Sequence, residues 1–222
     1  MTRKQKKMLA RILVSAALMV ALLFVPAGSF SFGGAWRFVG LLFVPMAALG
    51  VILYIKKPEL LQKRLNGREK EKTQKGAAAL LALILLGSLV LSGLDYRFGW
   101  SDMPDWIIWM GCVVMLMSYG LYARVMGENR YLARTVEIQK GQQLIDTGSY
   151  AVVRHPMYAA SIFMFLSSAL VLGSWIALGV MIVYPAVMVV RIRNEEMVLE
   201  QGLPGYADYM RRVKWRLIPF VW

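Results

Sequence analysis

Side chains that could do chemistry concentrate in two short runs, and the first has the letters Arg-His-Pro-Met-Tyr at positions 154–158. Proline is favoured in the first turn of a helix and disfavours a helical conformation in the residue before it, so a helix is predicted to begin at about Pro156. Arg154 and His155 would then lie at its N-terminal mouth, where backbone amides and the helix dipole favour an anion. The alternative is a basic interfacial loop whose Arg154 contacts a lipid phosphate.

The second run lies at 191–196 and contains Arg191 followed by two adjacent carboxylates, Glu195 and Glu196. Ionised carboxylates only accept hydrogen bonds, so this pair could hold a cation or the hydroxyl groups of a sugar. If a helix continues through the run, Arg191 and Glu195 are also spaced for a surface salt bridge, worth less than about 1 kcal/mol. Both interpretations are compatible with the residue types.

The elements that must position these runs are predicted to be membrane helices. The chain of 222 residues is 58% hydrophobic and only 18% charged, more apolar than an ordinary soluble domain. Uncharged or nearly uncharged stretches predict about six transmembrane helices, at roughly 12–32, 38–55, 76–94, 106–123, 157–173 and 175–190. The sequence therefore predicts an all-α fold, a polytopic membrane helical bundle.

The end of the chain is predicted to form a tight helical hairpin and a cytoplasmic amphipathic tail. Only Gly173 and Ser174 separate the last two apolar stretches, so the hairpin would return the runs 154–158 and 191–196 to the same membrane face. In the tail, Tyr206 and its neighbours recur at helical spacing, which is typical of an amphipathic helix at the headgroup level. This helix could cover the site or only anchor the chain to the membrane surface.

Basic residues predict the orientation in the membrane. They are concentrated at the N-terminus, in the loop at 56–75, after the fourth stretch and in the tail, whereas the opposite side has only Arg37 and Arg97. By the positive-inside rule both termini and the active site are cytoplasmic, and we expect a multi-pass protein of a prokaryotic cell membrane. Topology and lipid headgroups explain the net charge of +13, so a nucleic-acid partner is not expected. The loop at 56–75 could contact a partner or anionic lipid.

Several functional classes are disfavoured by what the sequence lacks. A single cysteine, Cys112, excludes an internal disulfide, and one histidine beside it is too few for a conventional metal site. The predicted spans contain no Asp, Glu, Lys or His well inside the hydrocarbon, although ion-coupled transporters usually need such groups at depth. Neither a metal site nor a transporter is therefore predicted.

The polar runs and their surroundings resemble the isoprenylcysteine carboxyl methyltransferase family and its relatives, the membrane phospholipid methyltransferases. The shared pattern consists of Asn129, the segment 135–139, Gly148-x-Tyr150, Arg154-His155-Pro156-x-Tyr158, Arg191-x-x-x-Glu195-Glu196-x-x-Leu199, Gly205-Tyr206-x-x-Tyr209 and Ile218-Pro219. It suggests N-terminal transmembrane helices at 1–127 and a methyltransferase-like catalytic region at 128–222. The chain departs from the pattern at Ser149 and at Ala159-Ala160, where relatives often have proline and glycine.

This resemblance implies an enzyme that transfers a methyl group from S-adenosylmethionine, leaving S-adenosylhomocysteine, to a lipophilic acceptor that enters from the bilayer. It implies that the cofactor is bound by Tyr150, Arg154, His155, Tyr158, Glu195 and Glu196, and that Arg191 and Glu196 take part in catalysis. The acceptor we expect is an isoprenylcysteine-type carboxylate, with a phospholipid amine or a small lipophilic thiol as alternatives. The alternative from another class is a non-enzymatic membrane scaffold or lipid-binding protein. The oligomeric state is not predicted.

Overall fold

The computed structural model describes residues 3–66, 72–132 and 138–222, and all regular structure in these ranges is helical. A 3₁₀ turn, Gly148–Ala151, precedes the sixth helix. The helices are α1 (Arg3–Ala27), α2 (Gly33–Lys56), α3 (Pro58–Asn66), α4 (Lys72–Phe98), α5 (Asp105–Glu128), α6 (Pro156–Leu172), α7 (Trp175–Met181), α8 (Val183–Gly202) and α9 (Tyr206–Arg212). The predicted all-α class is confirmed.

The apolar helices make this a helical membrane bundle. Within the described ranges, four segments are long and apolar enough to cross a bilayer: Gly33–Lys56, Gln74–Phe98, Asp105–Glu128 and Trp175–Gly202, the last formed by α7 and α8. Two shorter apolar helices, Leu13–Ala27 and Pro156–Leu172, lie beside them. These segments correspond in order to the six predicted stretches.

Two of the differences between the predicted and the observed helix ends have a local cause. The first helix ends at Ala27, not near position 32, because the chain turns at Gly28, whose φ of 65° favours glycine. The last apolar stretch is broken at Ile182, three residues before Pro185, and then continues as α8 to Gly202. Proline has no amide hydrogen for the preceding turn, which explains the break. The polar run 191–196 is therefore helical.

Close contact between α5 and α6 places the start of α6 against the end of α5. These two helices share the most extensive interface in the bundle, and α4 packs against α7 and α8. Gly111 allows the close approach, since a Cβ there would lie 2.6 Å from the Cβ of Leu170. The polar residues at the end of α5 consequently lie beside the run 154–158.

The predicted hairpin is confirmed at Gly173 and Ser174. Gly173 has a φ of 77°, the left-handed conformation that commonly ends a helix, and Ser174 caps α7 by accepting a hydrogen bond from the Ala177 amide at 3.0 Å. The Ser174 hydroxyl also donates to the carboxylate of Asp95 on α4. The hairpin brings 154–158 and 191–196 to the same end of the bundle.

The tail forms one short helix whose apolar face is covered by the protein itself. Tyr206 and Tyr209 are 4% and 1% exposed and pack with Leu203 and with Leu144 from the loop that precedes the 3₁₀ turn. The structure thus gives this face a protein contact, whereas the spacing alone favoured a headgroup-level position. The packing places α9 over the polar end of the bundle.

Candidate active site

The run 154–158 is held in place by the tail of the chain. The backbone amides of Arg154 and His155 donate to the carbonyls of Trp215 and Arg216, both at 2.9 Å. His155 is the residue before α6, and Pro156 occupies the first turn, where the sequence predicted it. Both Arg154 and His155 are buried, with 6% and 5% exposed.

Glu196 is buried and contacts two arginines and a histidine. Its Oε1 accepts from Nε of Arg154 at 2.8 Å and lies 3.2 Å from Nε2 of His155. Its Oε2 accepts from Nε of Arg216 at 2.8 Å. Arg154 donates further through Nη1 to the carbonyls of Val213 and Lys214, at 2.7 and 3.1 Å. One carboxylate therefore joins α8, the start of α6 and the tail.

Glu195 belongs to a separate chain of hydrogen bonds. The Tyr158 hydroxyl donates to Oε2 of Glu195 and accepts from Nε of Arg191 at 3.2 Å. The rings of Tyr158 and His155 stack with their centroids 5.6 Å apart. The two adjacent carboxylates thus have different partners, although their adjacency in the sequence favours one shared role.

Tyr150 is positioned by the 3₁₀ turn. The turn begins at Gly148, whose φ is 62°, and the amide of Ser149 donates to the Glu128 carboxylate at the end of α5 at 2.8 Å. The Tyr150 hydroxyl accepts from the side-chain amide of Asn129 at 3.0 Å. The backbone carbonyl of Tyr150 accepts from the hydroxyl of Tyr209 on α9 at 2.7 Å. Hydrogen bonds therefore hold both the side chain and the backbone of Tyr150.

These residues surround a cavity of about 920 Å³. Sites for small molecules commonly have volumes of roughly 300–1,000 Å³. The described residues of the lining include Tyr150, Arg154, His155, Tyr158, Arg191 and Glu195. Glu196 lies behind this wall, bonded to Arg154. Toward the middle of the bundle the lining becomes apolar, with Leu81, Phe165 and Met188.

The phenols beside the cavity stay protonated at neutral pH. Burial raises the pKa of Tyr150, Tyr206 and Tyr209 well above the ordinary value. For Tyr206 the negative charges of Glu196 and Glu195 raise the pKa further. All three side chains therefore keep a hydroxyl hydrogen that they can donate.

Some residues at the site are not predicted by any pattern in the sequence. Arg216 contacts Glu196, but the sequence shows it only as one of several basic residues in the tail, and no spacing signal links it to a residue 20 positions away. Arg64 and Lys75 also line the cavity. The sequence predicts for their region, 56–75, only a basic cytoplasmic loop that contacts a partner or anionic lipid. The motif residues at 135–137 lie outside the described residues. Among the described residues, no group of three potential metal ligands occurs.

A family comparison assigns this part of the chain. Residues 106–203 match the family model described as phospholipid methyltransferase. Over these residues the match confirms the resemblance to the membrane methyltransferases, a family that also contains the isoprenylcysteine carboxyl methyltransferases. The matched segment lies among apolar helices that are long enough to cross a membrane.

Individual relatives are similar over shorter segments. The nickel-cobalt-cadmium resistance protein NccN of Alcaligenes xylosoxydans xylosoxydans is 32% identical over 79 residues, which are 33% of this chain and 35% of the relative. The cobalt-zinc-cadmium resistance protein CzcN of Cupriavidus metallidurans matches with the same identity and coverage. The Δ(14)-sterol reductase TM7SF2 of Mus musculus is 32% identical over 91 residues, 40% of this chain and 22% of the relative. The match thus spans about a third of the length of the first two relatives.

Proposed function

We propose that the protein transfers a methyl group from S-adenosylmethionine to a lipophilic acceptor, most simply to the carboxylate of an isoprenylcysteine-type molecule. The observation that carries the proposal is one cavity whose polar end is lined by Arg154, Tyr158 and Glu195 and whose other end is apolar. Such a cavity fits a zwitterionic cofactor docking from the aqueous side and an acceptor arriving from the bilayer.

The donors and acceptors at the polar end suit this cofactor. A methionyl carboxylate needs hydrogen-bond donors, which Arg154, His155 and the N-terminus of α6 supply. The cofactor's ammonium and ribose hydroxyls need acceptors, and Glu195 lines the cavity as an ionisable carboxylate. Tyr150 and Tyr158 would shape the walls around it. When bound, S-adenosylmethionine supplies an electrophilic methyl group on its sulfonium.

Glu196 enters the proposal mainly as a positioning residue. Its carboxylate is shared by Arg154, His155 and Arg216, so it holds the proposed anion site in shape and keeps the charge of the buried Arg154 balanced. Glu196 is not among the described residues that line the cavity, whereas Glu195 is. The geometry therefore favours Glu195 for contact with the cofactor.

The protein's contribution to the reaction is alignment and the exclusion of water. A buried polar end next to an apolar slot holds an attacking oxygen close to the donor and out of bulk solvent. A carboxylate nucleophile needs no general base, so no proton has to move. Arg191, which reaches the cavity beside Tyr158, would orient an acidic acceptor. An amine or thiol acceptor would instead need a base, for which His155 is the candidate because it lines the cavity.

Binding of S-adenosylhomocysteine to the purified protein in phosphatidylcholine nanodiscs tests the cofactor. Calorimetry should show saturable binding that weakens at least about tenfold in Arg154→Ala and in Glu195→Gln. Arg211→Ala is the matched control, because Arg211 is exposed and paired only at the surface with Asp208. A folded protein that does not bind the product would refute the proposal and favour a membrane scaffold. A nicotinamide dinucleotide is titrated in parallel, because one similar protein is named as a sterol reductase and a reductase needs an electron donor.

Methyl-labelled cofactor added to protein and membrane extract tests the acceptor. A base-labile label in an apolar product would identify a methyl ester, the result we expect. A stable label in a phospholipid headgroup would identify an amine acceptor, and a stable label on sulfur would identify a thiol. Either stable product would contradict the carboxylate acceptor while leaving the methyltransferase intact.

A further inference from the structure

The end of the tail exposes apolar side chains although it lies against the bundle. Ile218, Phe220 and Val221 are 40%, 85% and 72% exposed. Leu217, directly before them, is partly buried and packs against the apolar cluster that α4, α6, α7 and α8 form. One side of this segment thus contacts the bundle, whereas its other side presents three closely spaced apolar residues that the proposed reaction does not use.

Hydrogen bonds within residues 216–222 close this segment into a loop, the tail loop. The backbone oxygen of Trp222 accepts from the amides of Arg216 and Leu217, at 2.8 and 3.0 Å. The backbone oxygen of Ile218 accepts from the amides of Val221 and Trp222, both at 3.2 Å. Because backbone groups are costly to bury without partners, a loop that pairs its own amides can lie where there is little water.

Phe220, at the tip of the tail loop, has an uncommon backbone conformation. Its φ is 65°, whereas the other positive φ values in the described ranges belong to glycines. A bulky side chain is rarely found there, and a turn of this kind in water favours glycine, asparagine or aspartate. The ring contacts Trp215, with the centroids 5.4 Å apart, and otherwise faces outward. Phenylalanine at this position therefore indicates surroundings that favour an exposed aromatic side chain.

The length of α6 gives the depth of the tail loop in the membrane. The backbone carbonyls of Trp215 and Arg216 accept hydrogen bonds from the amides of the two residues before Pro156, the first residue of α6. Helix α6 has 17 residues. At the rise of an α-helix this is about 26 Å, whereas the hydrocarbon core of a bilayer is about 30 Å thick. Both ends of α6 therefore lie near the edges of the hydrocarbon, and the tail loop lies at one of them.

The residues that flank the exposed tip are typical of the headgroup level. Residues 213–222 contain two cations, Lys214 and Arg216, two tryptophans and no acidic side chain. The guanidinium of Arg216 lies 5.0 Å from the ring centroid of Trp222. Lysine, arginine and tryptophan favour this level because each combines an apolar body with a polar end. A phospholipid interface therefore fits the tail loop better than bulk water does.

We propose that Ile218, Phe220 and Val221 insert into the headgroup region of the phospholipid leaflet beside the start of α6. The sequence predicted a headgroup-level position for α9, but α9 packs on the protein, and the loop that follows it makes the membrane contact instead. The contact also links the bilayer to the candidate active site, because Arg216 of the same loop donates to Glu196 at 2.8 Å. It does not depend on the reaction that the site catalyses.

Spin labels distinguish whether the tail loop faces lipid, water or protein. Cys112→Ser removes the single native cysteine. In this background, Phe220→Cys and Val221→Cys are each labelled with a nitroxide in phosphatidylcholine nanodiscs. Power saturation measures how often the label collides with oxygen, which concentrates in lipid, and with a water-soluble nickel chelate. The reference labels are Leu83→Cys, 68% exposed within an apolar span, and Asp208→Cys on α9, whose side chain is 75% exposed.

We expect the labels at 220 and 221 to collide more often with oxygen than with the chelate, as at 83, and the label at 208 to show the reverse order. Preference for the chelate at 220 and 221 would place the tail loop in water and overturn the proposal. Few collisions with either reagent would also overturn it, because a second copy or another protein would then cover the loop. Thermal melts confirm that each labelled variant is folded.

Two substitutions of Phe220 test the same contact without a label. If the tail loop faces water, Phe220→Asp should melt at a higher temperature than Phe220→Leu, because aspartate suits a positive φ better and adds a negative charge to a basic tail. In the headgroup region the order should reverse, since a carboxylate is costly next to hydrocarbon. We expect Phe220→Leu to be the more stable in nanodiscs, and the opposite order would contradict the membrane contact. Absence of S-adenosylhomocysteine binding would overturn the proposed function and leave this contact standing.

Discussion

Replacement of Glu196 by glutamine is the sharpest test of the buried cluster. Glu196→Gln keeps the shape of the side chain but removes the negative charge that Arg154, His155 and Arg216 share. The guanidinium of Arg154 would remain buried, with 5% of its side chain exposed, and without its counter-charge. We therefore expect a large loss of stability from a substitution that changes almost no volume.

The size of the loss follows from the surroundings of each partner. Removing one member of a buried ion pair typically costs about 3–5 kcal/mol. Arg154 would keep its hydrogen bonds to the carbonyls of Val213 and Lys214, and Arg216 is 31% exposed and can turn toward water. The lower end, about 3 kcal/mol, is therefore expected. For a chain of this size that corresponds to a melting temperature lower by about 6–12 °C.

The neighbouring carboxylate provides the matched control. Glu195 lines the cavity and bonds the Tyr158 hydroxyl, so Glu195→Gln should lower the melting temperature by no more than about 3 °C. The same variant should weaken S-adenosylhomocysteine binding about tenfold. The assay is a thermal melt of both variants in the same nanodiscs and at the same scan rate. Equal melting temperatures for the two variants would refute the distinction between a structural and a cofactor-facing carboxylate.

Further predictions concern the turn, the phenols and the orientation. Gly148→Ala should lower the melting temperature more than Gly141→Ala: both glycines have positive φ, but a Cβ at 148 would lie 2.6 Å from the Glu128 carboxyl, whereas no described atom lies within 4 Å at 141. Burial raises the pKa of Tyr209, so the stability that its protonated hydroxyl contributes is complete below about pH 10 and is lost as the pH rises toward the folded-state pKa. The melting temperature of Tyr209→Phe should therefore fall less steeply with alkaline pH than that of the unsubstituted protein. Cys112→Ser removes the native cysteine, so Lys56→Cys in that background introduces a single reactive thiol. This thiol should react with an impermeant maleimide only from the cytoplasmic side.

The hairpin and the start of α6 could be predicted because they depend on local chemistry. Proline at 156 and the Gly173–Ser174 turn have conformational preferences that hold in almost any surroundings. The hairpin then required the runs 154–158 and 191–196 to lie on the same side. By contrast, the end of the first helix at Ala27 was missed, because the apolar run continues beyond Gly28 although the helix does not.

The different partners of Glu195 and Glu196 could not be predicted from the sequence. Consecutive residues on an α-helix point about 100° apart, so one of two adjacent carboxylates can face a cavity while the other faces a packed wall. Which one does so depends on how α8 is rotated against α6 and the tail. The contribution of Arg64 was missed for a similar reason, because no local pattern in α3 shows that it reaches Tyr122 on α5.

The tail completes the site although it lies outside the matched family segment. That segment ends at residue 203, yet the carbonyls of 213–216 and the guanidinium of Arg216 hold Arg154 and Glu196 in place. A buried arginine needs both a counter-charge and acceptors for its other donors, and here α8 supplies the first while the tail supplies the second. The proposed anion site is therefore a joint product of the hairpin and the tail, and neither could hold Arg154 in this geometry alone.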